Sequence, residues 1–186
     1  MIREIQIFLD NVEKVLNGRT LFITIENLDS RNKIENEQLI KNITLSKELD
    51  LKLLDADLTQ QDGDFFHELT DDGKFIPKVH TFHKSNLSIY DLEVQEAHNY
   101  LVSMLTAKTN NTFWSPYNKQ LSKSKAKHIV DSFLDSLGDK DKFNFYKLNT
   151  NFIFQSLDFW DQLGSDSITV ILADHKIFFL FTNGGD

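Results

Sequence analysis

The sequence contains no cysteine among its 186 residues, and this absence excludes several kinds of chemistry. Without cysteine the chain forms no disulfide, offers no thiolate nucleophile and cannot build thiolate zinc sites. Proline and glycine are also scarce, with two and seven residues. We find no phosphate-cradling glycine-rich loop, no dinucleotide-binding fingerprint and no nucleophile elbow. The common phosphate-handling enzymes are therefore disfavoured.

Long apolar runs are missing as well. No stretch approaches the roughly 18 apolar residues that a transmembrane helix needs. The first six residues include an acid and polar groups where a secretory signal requires a continuous apolar segment. We therefore expect a cytoplasmic protein with no membrane partner.

Positive charge is in the minority. The chain has 20 Lys and Arg against 28 Asp and Glu, which gives a formal charge of −8. Affinity for nucleic acid depends on Lys and Arg that neutralise phosphates, so this balance argues against a nucleic-acid partner. It favours a basic protein partner, or it simply serves solubility.

Length and composition predict one domain that spans residues 1–186. Hydrophobic residues make up 40% of the chain and include 16 Phe, which is enough for a core. The charged fraction of 26% is ordinary for a globular surface.

Residues 167–186 predict a β-hairpin. Two apolar runs, 168–172 and 177–181, are rich in β-branched and aromatic residues and flank a polar turn. Both runs are nearly continuous rather than alternating, which is typical of strands covered on both faces. We therefore expect this hairpin at the centre of the sheet.

Helices are predicted from apolar residues that recur at helical spacing. The N-terminal helix ends near Gly18, which is predicted to be its left-handed cap. The sequence Ser88-Ile89-Tyr90-Asp91 has the form of a capping box and predicts a helix that starts there. A further helix is predicted over 122–137. Residues 31–47 fit a short helix, and 45–58 fit a strand or a helical turn equally well.

Strands are predicted over 20–25, 143–148 and 152–154, and Asp72-Gly73 predicts a hairpin turn. Residues 157–163 fit a strand end or a helical turn. Because strands cluster near the end and helices near the start and middle, the predicted class is α+β. We expect a mostly antiparallel sheet that ends in the C-terminal hairpin and packs against the N-terminal helix and a central helix pair.

The clearest asymmetry of charge is an acidic belt between Glu48 and Gly73, which holds nine carboxylates against one lysine, Lys52. The rest of the chain is close to neutral. A concentrated negative surface steers and binds a basic partner, although such runs are often only solvated loops. The candidate partner-binding carboxylates of the belt are Asp55, Asp57, Asp62, Asp64, Glu68, Asp71 and Asp72.

Two patterns near the belt suggest metal or acid–base chemistry, but neither matches a known site. Clustered carboxylates suit Mg²⁺ or Ca²⁺, yet the glycine of an EF-hand loop is one position late. His67 is followed by an acid but lacks the second histidine of a zincin helix. His80 and His83 lie three residues apart in a loop that contains Pro77. We predict no metal, no cofactor and no catalytic residue, and keep an enzyme or ligand-binding protein that uses His67, His80 and His83 as the alternative.

An aromatic loop supplies candidate apolar anchors for a partner. Trp114 and Tyr117 lie in it, and a lysine-rich segment follows. Aromatic residues beside lysines could stack bases, although they more often pack under helices. Exposed Trp and Tyr are also typical of protein-binding hot spots.

The overall profile resembles that of bacterial immunity proteins, which are small, acidic and cysteine-free and lack catalytic signatures. This resemblance is one of composition and has no residue-level motif. It implies a stoichiometric, cytoplasmic inhibitor that neutralises a basic, nuclease-like toxin through its acidic belt. A structural component of a bacterial or phage assembly is a second alternative.

Overall fold

A computed structural model of the protein describes residues 2–26, 35–63, 66–77, 87–107, 113, 115, 117–149, 167–173 and 175–184. Its elements in chain order are α1 (Arg3–Leu16), β1 (Arg19–Ile25), α2 (Asn36–Thr44), α3 (Lys47–Gln61), β2 (His67–Leu69), β3 (Phe75–Pro77), β4 (Ile89–Leu92), α4 (Val94–Leu105), α5 (Lys123–Leu137), a short 3₁₀ helix (Lys140–Lys142), β5 (Asn144–Leu148), β6 (Ser167–Leu172) and β7 (Ile177–Asn183).

The main sheet has five strands in the order β1-β7-β6-β5-β4, and every neighbouring pair is antiparallel. β6 and β7 form the predicted C-terminal hairpin, which the backbone bond from Ala173 N–H to Lys176 O closes at 2.9 Å. All residues of these two strands are buried. The α+β class, the antiparallel sheet and the central position of the hairpin are therefore confirmed.

Each face of the sheet is covered by helices. On one face α1, α4 and α5 enclose a core in which the rings of Phe8 and Phe133 stack at 4.3 Å between centroids. On the other face α2 and α3 bury Ile40, Leu49 and Leu53 against the strands. The N-terminal helix and the central helix pair were predicted. The second helical layer was not, because the apolar pattern of 45–58 left its conformation undecided.

The junction between α1 and β1 differs from the prediction in one residue. Asn17, not Gly18, takes the left-handed conformation that ends α1, with φ 49° and ψ 42°. Gly18 meets a different requirement, because a Cβ placed there would lie 1.7 Å from the carbonyl oxygen of Asn183. The glycine allows β1 to approach the end of β7, and asparagine tolerates the left-handed region.

The predicted capping box at Ser88 is wrong. Residues 89–92 form the edge strand β4, with Ile89 opposite Leu148 of β5, and the helix begins only at Val94. The backbone N–H of Ser88 donates to the side chain of Asn149 at 2.7 Å. Pairing with β5 therefore overrides the local helix signal.

Several other predictions have clear outcomes. The strands over 20–25 and 143–148, the helix over 122–137 and the short helix within 31–47 are confirmed as β1, β5, α5 and α2. The Asp72-Gly73 turn joins β2 to β3, which form a separate two-stranded hairpin. The predictions for 152–154 and 157–163 fall outside the described residues.

Removing a ring from the sheet centre should be costly. Phe179 is fully buried in β7, so Phe179→Ala should lower the free energy of unfolding by about 3–5 kcal/mol. Phe75→Ala is the matched control, since Phe75 is 47% exposed. Urea unfolding monitored by circular dichroism measures both, and similar losses for the two variants would contradict the two-faced burial of β7.

Candidate functional site

α3 carries two stripes of side chains on opposite sides. Its inner stripe, which includes Leu49, Leu53 and Ala56, packs on the sheet. Its outer stripe alternates acid and leucine at helical spacing and is formed by Glu48, Leu51, Asp55, Leu58 and the cap residue Asp62. Leu51 and Leu58 are 58% and 39% exposed. The helix thus presents apolar side chains to solvent between carboxylates.

The β2–β3 hairpin adds a second set of exposed residues. Leu69 lies opposite Phe75 in the register, so both side chains are on one side of the hairpin. Their exposed fractions are 63% and 47%. The carboxylates of Glu68, Asp71 and Asp72 are exposed in the same hairpin.

The hairpin turn is fixed by its own hydrogen bonds. The backbone N–H of Thr70 donates to Lys74 O at 2.8 Å. The Asp72 carboxylate is bonded to the Lys74 ammonium at 2.6 Å and to the Thr70 hydroxyl, and these contacts, that of Lys74 first, lower the pKa of Asp72. Because the pKa of Asp72 is lower in the folded protein than in the unfolded chain, its contacts stabilise the folded state at neutral pH. This stabilisation is lost as the pH falls through the folded pKa.

A buried hydrogen-bonded pair of side chains joins the hairpin to α3. Asp57 is fully buried, and its Oδ2 atom lies 2.8 Å from Nδ1 of His67 and accepts the backbone N–H of Phe66 at 2.7 Å. The predicted role of Asp57 in partner binding is therefore corrected. Its carboxylate is used inside the protein, where it holds the start of β2 against the helix.

Gly63 brings the two sets of exposed residues into contact. A Cβ at Gly63 would lie 2.8 Å from Cδ1 of Phe75 and 3.2 Å from Cδ2 of Leu58. The ring of Phe75 and the side chain of Leu58 therefore meet over this glycine, whose φ of +80° also suits the turn. The apolar strip consists of Leu58 and Phe75, which both adjoin Gly63, and of Leu69, the cross-strand neighbour of Phe75.

We call the resulting surface the acidic-apolar face. Its members are Glu48, Leu51, Asp55, Leu58, Asp62, Glu68, Leu69, Asp71, Asp72 and Phe75. Leu58 and Phe75 adjoin Gly63, and Leu69 lies opposite Phe75 in the register. The carboxylates neighbour them along α3 and the hairpin, with Glu68 on the side of β2 opposite Leu69. Hot spots of protein interfaces have this arrangement of apolar anchors with a polar rim.

The remaining predicted residues are not brought to this face. Tyr117 is 56% exposed, but it lies in the connection between α4 and α5, which cover the opposite side of the sheet from α3. The ammonium of Lys119 lies 4.9 Å from the centre of its ring. Tyr117 therefore does not join the acidic-apolar face, and its predicted role as an anchor stays a prediction. Asp64, Trp114, His80 and His83 lie outside the described residues.

Within the described part of the chain, no three potential metal ligands of the His, Asp or Glu type come together. His67 is 6% exposed, with one nitrogen bonded to Asp57 and its ring edge-on to Phe75 at 6.4 Å between centroids. Its observed contacts position the hairpin.

Sequence reasoning missed the apolar members of the face. Leu51 and Leu58 follow the spacing of the carboxylates around them, and the leucines of α3 occupy both sides of the helix. This second apolar stripe was the available signal, since a surface helix normally has only one. Leu69 and Phe75 gave no periodic signal, because β2 and β3 have three residues each.

None of the helices in the described ranges combines the length and the apolar composition needed to cross a bilayer. Comparison with family models, with curated proteins and with solved structures finds no match.

The contrast between Asp57 and Asp55 gives a direct test. Asp57→Ala should lower the free energy of unfolding by about 1–3 kcal/mol, because it leaves the Phe66 N–H and His67 without their buried acceptor. Asp55→Ala removes an exposed carboxylate from the same helix and should change stability by less than about 0.5 kcal/mol. Equal effects in thermal and urea unfolding would contradict the structural role of Asp57.

Proposed function

We propose that the protein is a stoichiometric inhibitor that binds a basic partner protein through the acidic-apolar face. The observation that carries this proposal is the exposed strip of Leu58, Phe75 and Leu69 flanked by carboxylates. An apolar strip alone would fit many partners. The carboxylates select one whose contact surface is basic around an apolar centre.

The two components of the face have different physical roles. The exposed carboxylates attract a cationic partner over a distance set by ionic strength and so increase the association rate. The apolar side chains lose water only when the complex has formed and so slow its dissociation. Because the Asp57–His67 pair ties the hairpin to α3, little ordering is required on binding.

The partner class that best suits this chemistry is a nuclease-like toxin domain, and the protein would then be its immunity protein in the bacterial cytoplasm. Toxins that act on nucleic acid need basic surfaces to hold phosphates. The carboxylates of the acidic-apolar face can bind the same basic groups and so compete with nucleic acid for that surface. The negative net charge, concentrated in one belt, supports this proposal.

The role of charge can be tested with a basic domain, once the gene next to this one is shown to encode it. Neutralising Asp55, Asp62, Glu68 and Asp71 to Asn or Gln should reduce the association rate by about tenfold or more at low salt and flatten its salt dependence. Surface plasmon resonance at several ionic strengths measures both. The proposal of a neighbouring toxin fails if the adjacent gene encodes no basic domain, or if such a domain is not bound.

A matched control removes the same charge elsewhere. Glu37, Glu93, Glu96 and Asp141 are exposed and lie outside the acidic-apolar face. Their neutralisation changes the net charge equally and should leave most of the salt dependence intact. If both sets reduce the rate to the same extent, only the net charge matters and the face is not the site.

The apolar strip has its own test. Phe75→Ala should weaken the complex by about 2 kcal/mol, mainly through faster dissociation, because the ring loses its burial against the partner. Tyr117→Ala removes an aromatic ring of similar exposure from the opposite side of the sheet and should have no effect. Dissociation that is faster in Tyr117→Ala than in Phe75→Ala would show that the partner contacts the Tyr117 side of the sheet, which contradicts the proposal.

A further inference from the structure

The outer edge of β1 is closed by side chains instead of by a strand. Among the described strands, β1 is the first in the sheet order and pairs with β7 on one side only. In an antiparallel strand alternate residues direct both backbone groups to the free side. For β1 these are Thr20, Phe22 and, by alternation, Thr24. Such an edge is a template for a further strand unless it is protected.

Gln60 of α3 occupies the position of a neighbouring strand at Phe22. The backbone N–H of Phe22 donates to Oε1 of Gln60 at 2.9 Å, and Nε2 of Gln60 donates to the carbonyl oxygen of Phe22 at 2.9 Å. One primary amide therefore makes both bonds that a peptide group of an added strand would make.

Glu13 and Gln61 close the edge in the same way at Thr20. Oε1 of Glu13 accepts the backbone N–H of Thr20 at 2.9 Å and its hydroxyl at 2.8 Å. Nε2 of Gln61 donates to the Thr20 carbonyl oxygen at 2.8 Å and to Glu13 at 2.7 Å. Four backbone groups of the edge are thus satisfied by three side chains from two helices.

There is space beside this edge. A groove between α1 and α3 holds a cavity of about 370 Å³ at Thr20, and a second cavity of about 180 Å³ borders Thr24. Gln60 and Thr59 line both. The amides of Gln60 and Gln61 and the carboxylate of Glu13 are bonded to β1, so these groups are already used by the strand and are not available to a small ligand.

We propose that Glu13, Gln60 and Gln61 form a side-chain lock that keeps β1 from pairing with β1 of a second copy of this chain. A two-fold axis at Phe22 would place Phe22 opposite Phe22 and Thr20 opposite Thr24, so the edge is self-complementary. When the side chains of Glu13, Gln60 and Gln61 no longer bond to β1, the backbone groups of Thr20 and Phe22 can bond to β1 of the second copy. This inference does not depend on the proposed function, because Gln60 and Gln61 are the last residues of α3 and do not belong to its outer stripe.

The lock predicts a change in oligomeric state when it is removed. The Gln60→Ala, Gln61→Ala double variant should form dimers whose fraction rises with protein concentration in sedimentation velocity, in contrast to the wild-type protein over the same range. The Gln38→Ala, Gln95→Ala variant is the matched control, since both glutamines are exposed on α2 and α4 and bond only within their own helices. It should sediment like the wild-type protein.

A third variant identifies the surface. Adding Thr24→Lys to the unlocked double variant should restore the monomer, because a lysine on an edge strand opposes strand pairing. The proposal is overturned if the folded double variant sediments like the wild-type protein at all concentrations, or if its dimer is insensitive to Thr24→Lys.

Hydrogen exchange on the unmodified protein tests the lock even if the variants do not fold. The Thr20 and Phe22 amides should exchange within about tenfold of the Leu21 and Ile23 amides, which face β7. Exchange of Thr20 and Phe22 that is faster by orders of magnitude would show that the edge is open and would overturn the proposal.

Discussion

The fold depends on one constraint, which is that β6 and β7 are apolar on both faces. A sheet of this kind is stable only when each face is covered, so the chain must supply two layers of helices. α1, α4 and α5 form one layer, and α2 and α3 form the other. α3 is held on the sheet by its inner stripe, and its outer stripe is consequently displayed on a rigid support. Part of the acidic-apolar face is therefore the solvent side of the helix that covers the second face of the sheet.

Features set by long, uniform patterns could be predicted from the sequence. The continuous apolar runs of β6 and β7 identified the sheet centre, and regular apolar spacing identified α1 and α5. β4 could not be predicted, because three of its residues belong to the possible capping box that starts at Ser88. Only pairing with β5, more than fifty positions away, decides between the two. α3 remained undecided since leucines occupy both of its sides, which hides the periodicity that normally marks a helix.

The charge of the candidate site was visible in the sequence, but its geometry was not. Nine carboxylates of the acidic belt look alike in the sequence. Asp57 differs from Asp55 in its burial and in its bonds to Phe66 and His67, and these bonds form when the chain after α3 turns back. The position of the aromatic residues was not visible in the sequence either. The aromatic residue at the face is Phe75, which lies near Leu58 at Gly63. Tyr117 is more conspicuous in the sequence but lies on the other side of the sheet.

The pairing of β1 with β7 also constrains how the protein is made. Arg19 pairs with Asn183, so during synthesis β1 leaves the ribosome on the order of ten seconds before its partner strand exists. Such distant pairing is slow to form, and an unpaired apolar strand is prone to aggregation meanwhile. α3 emerges from the ribosome much earlier than β7. Its glutamines are therefore available to one edge of β1 before β7 can pair with the other edge. The bonds from the α3 amides to β1 can therefore form earlier in synthesis than the backbone bonds between β1 and β7.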